Sequence, residues 1–276
     1  MSLTSENNLL PTGLAKQVGV AGVAGVAGVA GVAGVAGVAG GLGGVGLRSG
    51  RGESPLVSIL MPIYNGSEFL PESLASVIQQ TFTEWELLIA INGYQEPEST
   101  IYKMVRDYVQ AVGDTRVKVF DYYHCKGKST TLNKMLGECQ ANYVAILDVD
   151  DIWLPDKLKT QQPFLKKGYD VIGTKCVYFG DMNNVVPATP TGDISKHNFL
   201  QGNPVINSSA VIKKELAHWD PTCFVEDYDL WLRLRKEERL FYNCEEVLVK
   251  HRIHKQSAFN AQGNNNHVAA LLLKYI

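Results

Sequence analysis

The chain has 276 residues, with 26 Lys and Arg against 28 Asp and Glu and a formal net charge of −2. That length buries a substantial core, as one large domain or two small ones, and the balanced charge, without a dense Lys/Arg face, points away from nucleic acid. Its five cysteines, an odd number spread from Cys125 to Cys244 without a C-x-x-C pair, argue against a disulfide framework or a zinc centre and for a reducing, cytoplasmic location.

Residues 1–53 differ from everything after them. The triplet Val-Ala-Gly repeats from Val20 to Gly40, and no charge occurs between Lys16 and Arg48. Length and hydropathy alone would allow a membrane span. However, a Gly at every third position costs a helix about 1 kcal/mol each relative to Ala, and interfacial aromatics and flanking basic residues are missing. The apolar run is too long for a secretory signal, and a collagen-like helix would need Pro. The segment reads as a disordered, low-complexity tail, with weak membrane association through it as the alternative.

From residue 54 onward strands and helices alternate. Leu56 to Tyr64 is a first strand, turned by Asn65-Gly66 into a helix with Leu70, Leu74, Val77 and Ile78 on one face. Glu86 to Asn92 is a second buried strand, followed by a helix whose expected apolar face is Ile101, Met104, Val105, Tyr108 and Val112. Val117 to Tyr122 is a third strand, and Leu132, Met135, Leu136 and Cys139 mark a third helix. Four such units predict an α/β, Rossmann-like, mostly parallel sheet flanked by helices. Further on, Asp170 to Phe179 and Val205 to Ile212 read as strands. Leu230, Trp231 and Leu234 read as a buried helix face, and Val247 and Val249 as part of a last strand.

The fourth strand, within Asn142 to Trp153, ends in Asp148, Asp150 and Asp151. Carboxyl ends of parallel strands are where open α/β sheets bind ligands. Three carboxylates this close repel one another, so a cation is expected among them, and oxygen ligation suits Mg²⁺ or Mn²⁺. Asp150 or Asp151 capping the helix near Pro155 is the plainer alternative, but it accounts for one aspartate and not three. A second acidic group, Glu226, Asp227 and Asp229, crowds the start of the helix carrying Trp231, where the helix dipole favours negative charge.

Four stretches, in order over residues 55–257, resemble the motifs of glycosyltransferase family 2, which has the A-type nucleotide-diphospho-sugar-binding fold. They are Val57 to Asn65, Leu147 to Leu158, Glu226 to Leu234, and Arg252-Ile253-His254 with Ser257. The resemblance implies a catalytic domain over 54–276, with a nucleotide-sugar-binding half at 54–151 and an acceptor-binding half at 152–276. It implies Pro62, Tyr64, Asn65, Asn92, Lys128 and Asp148 on the nucleotide, Asp150 with Asp148 and His254 around Mn²⁺ or Mg²⁺, and Asp227 as catalytic base. Asp151 shares the metal or caps the next helix. The reaction implied is inverting transfer from a nucleotide-diphospho-sugar, UDP-sugar favoured, to a hydroxyl on a glycan or other acceptor. Two departures stand out: Ile91 and Asn92 replace two aspartates usual in the family, and Leu132 replaces an Arg, whereas Gly127-Lys128 resembles a variant with Lys after Gly.

Two rival readings are set against this one. An aspartyl-phosphate phosphatase would use Asp148 as nucleophile and Asp150 as acid/base, but its nucleophile strand opens the domain, whereas here three strand-helix units precede it. A domain that binds nucleotide-sugar without turnover would not need Asp227. A P-loop ending at Gly127-Lys128-Ser129 fails because Tyr122 stands where Gly is required.

Overall fold

The computed structural model describes residues 55–255 and 264–276. The Val-Ala-Gly tail and Ser257 therefore lie outside the described residues. One nine-stranded sheet runs β3-β2-β1-β4-β8-β6-β9-β5, with β7 (Gly192–Asp193) also on β9. β1 (Val57–Ile63), β2 (Trp85–Asn92), β3 (Val117–Tyr122) and β4 (Tyr143–Ile146) are mutually parallel. Beyond them β8 (Val211–Lys213) pairs antiparallel with both β4 and β6 (Val171–Gly180). β9 (Phe241–Ile253) runs parallel to β6, and β5 (Ile152–Trp153) pairs antiparallel with β9.

The strands are apolar on both sides because both faces are covered. Ile59, Met61 and Ile63 of β1, with Leu87, Ile89 and Ile91 of β2, face one core. It is closed by α1 (Leu70–Ile78), α2 (Thr100–Val112) and α4 (Lys157–Lys166) through Leu74, Val77, Val105 and Leu158. The alternate residues Leu60, Leu88 and Ala90 face the other core. That side is closed by α3 (Lys128–Met135), α5 (Glu226–Lys236) and α6 (Asn264–Leu272), through Leu132, Met135, Tyr228, Trp231 and Leu271. Among the described residues all five cysteines are free thiols, and no helix is long and apolar enough to cross a membrane.

Two expectations are corrected. The buried side of α2 is Val105 and Val109, while Met104, Tyr108 and Val112 are exposed. A helix lying at a sheet edge buries only a narrow stripe, and its surface apolar residues blur the phase. The strand expected over 205–212 begins only at Val211, because Asn207–Ser209 forms a 3₁₀ turn. The side chains there compete for backbone partners. Ser208 Oγ accepts the Asp148 N–H at 3.1 Å, and Ser209 Oγ accepts the Thr174 N–H at 3.1 Å.

Glu86 ties the parallel half together beneath the sheet. Its buried carboxylate accepts from Ser58 Oγ at 2.7 Å, the Gln140 N–H at 2.6 Å and Lys118 Nζ at 2.9 Å. Burial alone would raise its pKa, but these donors hold it below the usual glutamate value. Glu86→Ala should cost roughly 2–4 kcal/mol of stability at neutral pH. Because the folded pKa is depressed, that difference should be complete above about pH 4.3 and narrow as the pH falls further. Paired denaturant titrations at pH 7 and in acid check both points.

Candidate functional site

The parallel strands part where they meet the site. The β1–β4 ladder ends at Leu60↔Ile146, while β1–β2 continues to Ile63↔Ile91. Pro62 lies beyond the β4 pairing, where an absent N–H leaves no ladder partner wanting. β4 turns away after Ile146, and the gap between strand ends opens into a cleft of about 600 Å³. Gly93, at φ +81°, follows β2, and a Cβ there would lie 2.8 Å from the Tyr64 ring, so this close approach requires glycine.

Eight of the residues singled out from sequence line this cleft: Pro62, Tyr64, Asn65, Asn92, Lys128, Asp148, Asp150 and His254. The ninth, Asp227, lines a second cavity of about 480 Å³. The two cavities share Lys128, Asp148 and His251 as a common wall. Lys128, at the start of α3, is one cation of that wall. Its Nζ lies 2.6 Å from Asp148 Oδ1 and 3.2 Å from Glu226 Oε1.

The neighbouring charges drive the carboxyls apart in acidity. Burial would raise Asp148, but Lys128 and the Asn207 amide, 3.0 Å from Oδ2, hold it below the ordinary aspartate range. Asp150 is raised by burial and by Asp151 and Asp148 beside it, with His254 Nε2 3.0 Å from its Oδ2 acting against the rise. Asp227 is pushed up to about 6 by burial and by Glu226, with Lys128 opposing, and Asn203 Nδ2 donates to its Oδ2 at 3.0 Å. Such divergence among neighbouring carboxyls is how acid and base roles are separated.

Asp151 neither caps α4, whose N-cap is Asp156, nor faces the cleft. It is fully buried, taking the Arg252 N–H at 2.8 Å and His251 Nδ1 at 3.0 Å. Arg252 in turn donates from Nε to the Asp150 carbonyl at 2.9 Å, pairs with Glu72, and packs its guanidinium on Phe69 and Phe179, 4.4 and 4.2 Å from the ring centroids. This fastens the 150–151 turn to the end of β9. Burial would lower His251, but Asp151, then Asp148 and Asp150, raise it to about 9, so it is an imidazolium at neutral pH.

His251, Asn203 and Asn207 were not among the residues read from sequence. The nearness of His251 to Arg252-Ile253-His254 was the available signal, whereas the two asparagines sit in polar loop with nothing to mark them.

Among the described residues no three His, Cys, Asp or Glu side chains converge as a ready metal cage. What the cleft offers is Asp150 and His254 in contact, with a carboxylate whose negative charge its surroundings disfavour. This carboxylate and imidazole are a donor pair that a divalent cation can take.

Known proteins bear on this geometry. The model of glycosyl transferase family 2 matches residues 58–218. The chain belongs to that family and is a glycosyltransferase. It is 28% identical over 214 residues to the Escherichia coli protein WfgD, a UDP-Glc:alpha-D-GlcNAc-diphosphoundecaprenol beta-1,3-glucosyltransferase, covering 73% of this chain and 79% of WfgD. Among solved structures, Staphylococcus aureus TarS 1-349 in complex with UDP-GlcNAc superposes with a TM-score of 0.63 at 15% identity, covering 79% of this chain and 66% of TarS 1-349. The mannosyltransferase PcManGT from Pyrobaculum calidifontis, in complex with GDP-Man and Mn²⁺, gives 0.57 at 16%, covering 74% of this chain and 59% of PcManGT. The A-type fold expected from the sequence is therefore the fold of this family member.

In Asp151→Asn the His251 ring should titrate well below about 9, toward the ordinary imidazole value of about 6.5. Histidine NMR signals followed against pH measure this directly. An unmoved midpoint would mean that Asp151 is not what holds the charge.

Proposed function

We propose that the chain is an inverting, divalent-metal-dependent transferase that moves a sugar from a nucleotide-diphospho-sugar to an acceptor hydroxyl. The observation that carries this reading is the pair of cavities meeting at Lys128, Asp148 and His251. One is lined by Asp150 and His254, the other by Asp227, whose pKa is pushed up to about 6. Residues 54–151 then supply the donor side, and residues 152–276 the acceptor side together with His254. A UDP-sugar is the favoured donor, as WfgD acts on UDP-Glc and TarS is in complex with UDP-GlcNAc.

In this reading Asp150 and His254 hold the cation. Asp148, whose oxygens are already engaged by Lys128 and Asn207, serves the ribose. A divalent cation bound there would supply Lewis-acid stabilisation of the diphosphate leaving group. Lys128 and the His251 imidazolium add fixed positive charge on the same side, matched to charge that grows on the diphosphate as the sugar C1–O bond breaks. From the opposite face the acceptor oxygen forms its bond to C1 and passes its proton to the Asp227 carboxylate, so the anomeric configuration inverts. Asn203 keeps that carboxylate oriented.

Donor hydrolysis across a panel of nucleotide-sugars, with Mn²⁺, Mg²⁺ or chelator, tests the reading. Release of one nucleoside diphosphate should require metal and be lost in Asp150→Ala. Failure of every nucleotide-sugar to bind in calorimetry would overturn the assignment.

Asp227→Asn should keep donor affinity while lowering transfer by about 10²–10⁴-fold. A domain that only binds would be indifferent to the change. A protonated carboxyl cannot accept a proton, so wild-type transfer should decline as the pH falls through about 6. A rate flat down to pH 5 would remove Asp227 from the base role.

A further inference from the structure

A third cavity, of about 380 Å³, lies beyond the acceptor side and is lined by Lys196, His197, Arg235 and Lys236 over an apolar floor that includes Phe199. No Asp or Glu is among its lining residues, in a chain whose net charge is −2. The nearest acid to Lys196 in sequence, Asp193, accepts from Ser195 and Tyr169 and feels the Lys196 charge, but does not line the cavity. Arg235 and Lys236 belong to the last turn of α5, where positive charge complements the helix dipole. That accounts for neither Lys196 nor His197, which arrive from another segment and are joined to α5 by an Arg235 Nε–H donated to the His197 carbonyl at 3.3 Å.

The basic cavity adjoins the acceptor-side cavity. Leu200 lines both. Val268 and Leu272 of α6 line the acceptor cavity, and Tyr275, in the turn that follows α6, lines the basic one. The four-residue spacing keeps Val268 and Leu272 on one side of α6, and Tyr275 follows three residues on. Tyr275 is anchored there, its hydroxyl donating to Asp229 Oδ1 at 3.0 Å.

We infer that this basic cavity binds the phosphate or diphosphate group of an acceptor whose hydroxyl is presented to Asp227. Guanidinium, ammonium and imidazole groups converging from two segments match the several oxygens of a phosphate ester better than the single charge of a carboxylate. The apolar floor and Leu200 would then carry the part of the acceptor between hydroxyl and phosphate. This names the acceptor class within the proposed transfer and rests on that reading. The binding of the anion itself can be read without turnover.

The test uses the full chain, with inorganic pyrophosphate as probe, in chelator and followed by calorimetry. Lys196→Gln/Lys236→Gln, two exposed positions outside the core, should weaken or delete one pyrophosphate site by about tenfold or more. Metal-dependent donor hydrolysis should be unchanged in the same variant, which also shows that it is folded. Lys128→Gln, in the donor cleft, should leave this site intact. Pyrophosphate binding indifferent to Lys196→Gln/Lys236→Gln would overturn the inference. So would binding to phosphatidylglycerol/phosphatidylcholine vesicles that depends on these lysines when pyrophosphate does not bind, since the cavity would then face a membrane. Loss of all nucleotide-sugar binding alongside intact pyrophosphate binding would instead overturn the transfer reading and leave the anion site standing.

Discussion

Mutual repulsion among five carboxylates governs this site. Asp148, Asp150, Asp151, Glu226 and Asp227 are drawn together where β4 ends and α5 begins, and two unit charges 4 Å apart interact by about 4 kcal/mol at an effective dielectric of about 20. The fold answers from within. Lys128 bridges Asp148 and Glu226, and His251 is held as an imidazolium against Asp151. Asp150, met by His254 but facing Asp151 and Asp148, is left raised. The compensation is therefore uneven, and the unevenness is what gives chemically identical side chains different roles. An aspartate balanced by lysine stays ionised, and on the proposed reading the one facing like charges holds the cation. Asp227, beside Glu226 and opposed by Lys128 and the Asn203 amide, has its pKa raised to about 6.

Such crowding is tolerable because the backbone around it is pinned. Each carboxylate lies just past a strand end or at a helix start, where spare N–H groups and side-chain donors are concentrated. Asp148 has its own N–H capped by Ser208 and its carboxylate held by Asn207, so one 3₁₀ turn fixes both ends of that residue. The 150–151 turn is clamped to β9 by Asp151 and Arg252. Below it, Trp153 donates its indole N–H to the Ser208 carbonyl at 2.7 Å, and the fully buried Lys157 lies 3.8 Å over the Trp153 ring. Removing any of these ties would loosen several charged groups together.

Much of this was legible in the chain, for reasons that differ by residue. The four strand-helix units announced themselves because apolar strands buried on both faces, as in β2 where every residue is buried, leave an unmistakable run. Asp148 and Asp150 were readable because they end such a run. The 205–212 stretch misled because its apolar residues flank three polar ones whose partners, Asp148 and Thr174, are tens of residues away. The α2 face misled because its outward side carries Met104 and Tyr108. Asp151 looked like its neighbours until β9 supplied His251 and the Arg252 N–H. The basic cavity was hidden for the same reason: Lys196 and Lys236 are forty residues apart, and only the docking of α5 on the Phe199 turn brings them to one place.

The family departure at the end of β2 can now be given physical content. Asn92 is buried and lines the same cleft as Asp148, where a carboxylate would add another negative charge. The adjacent acid on β3, Asp121, pairs in register with Ile91, but its oxygens accept from the Glu98 and Tyr123 N–H groups, at 2.6 and 3.3 Å. On the proposed reading the nucleoside lies at the Asn92 and Tyr64 end of the cleft. Its wall is Tyr64, set 5.9 Å from Tyr94 with the Tyr94 hydroxyl donating to the Tyr64 carbonyl at 2.6 Å, and Gly93 leaves room for the ring. On the proposed reading, a base lying there meets aromatic surface and the amide of Asn92, which both donates and accepts. Discrimination among nucleotides then rests on ring stacking and neutral hydrogen bonds, while charge recognition is confined to the diphosphate end. That division follows from the same constraint that shapes the rest of the site, since a cleft already holding Asp148 and Asp150 has little tolerance for another unpaired carboxylate.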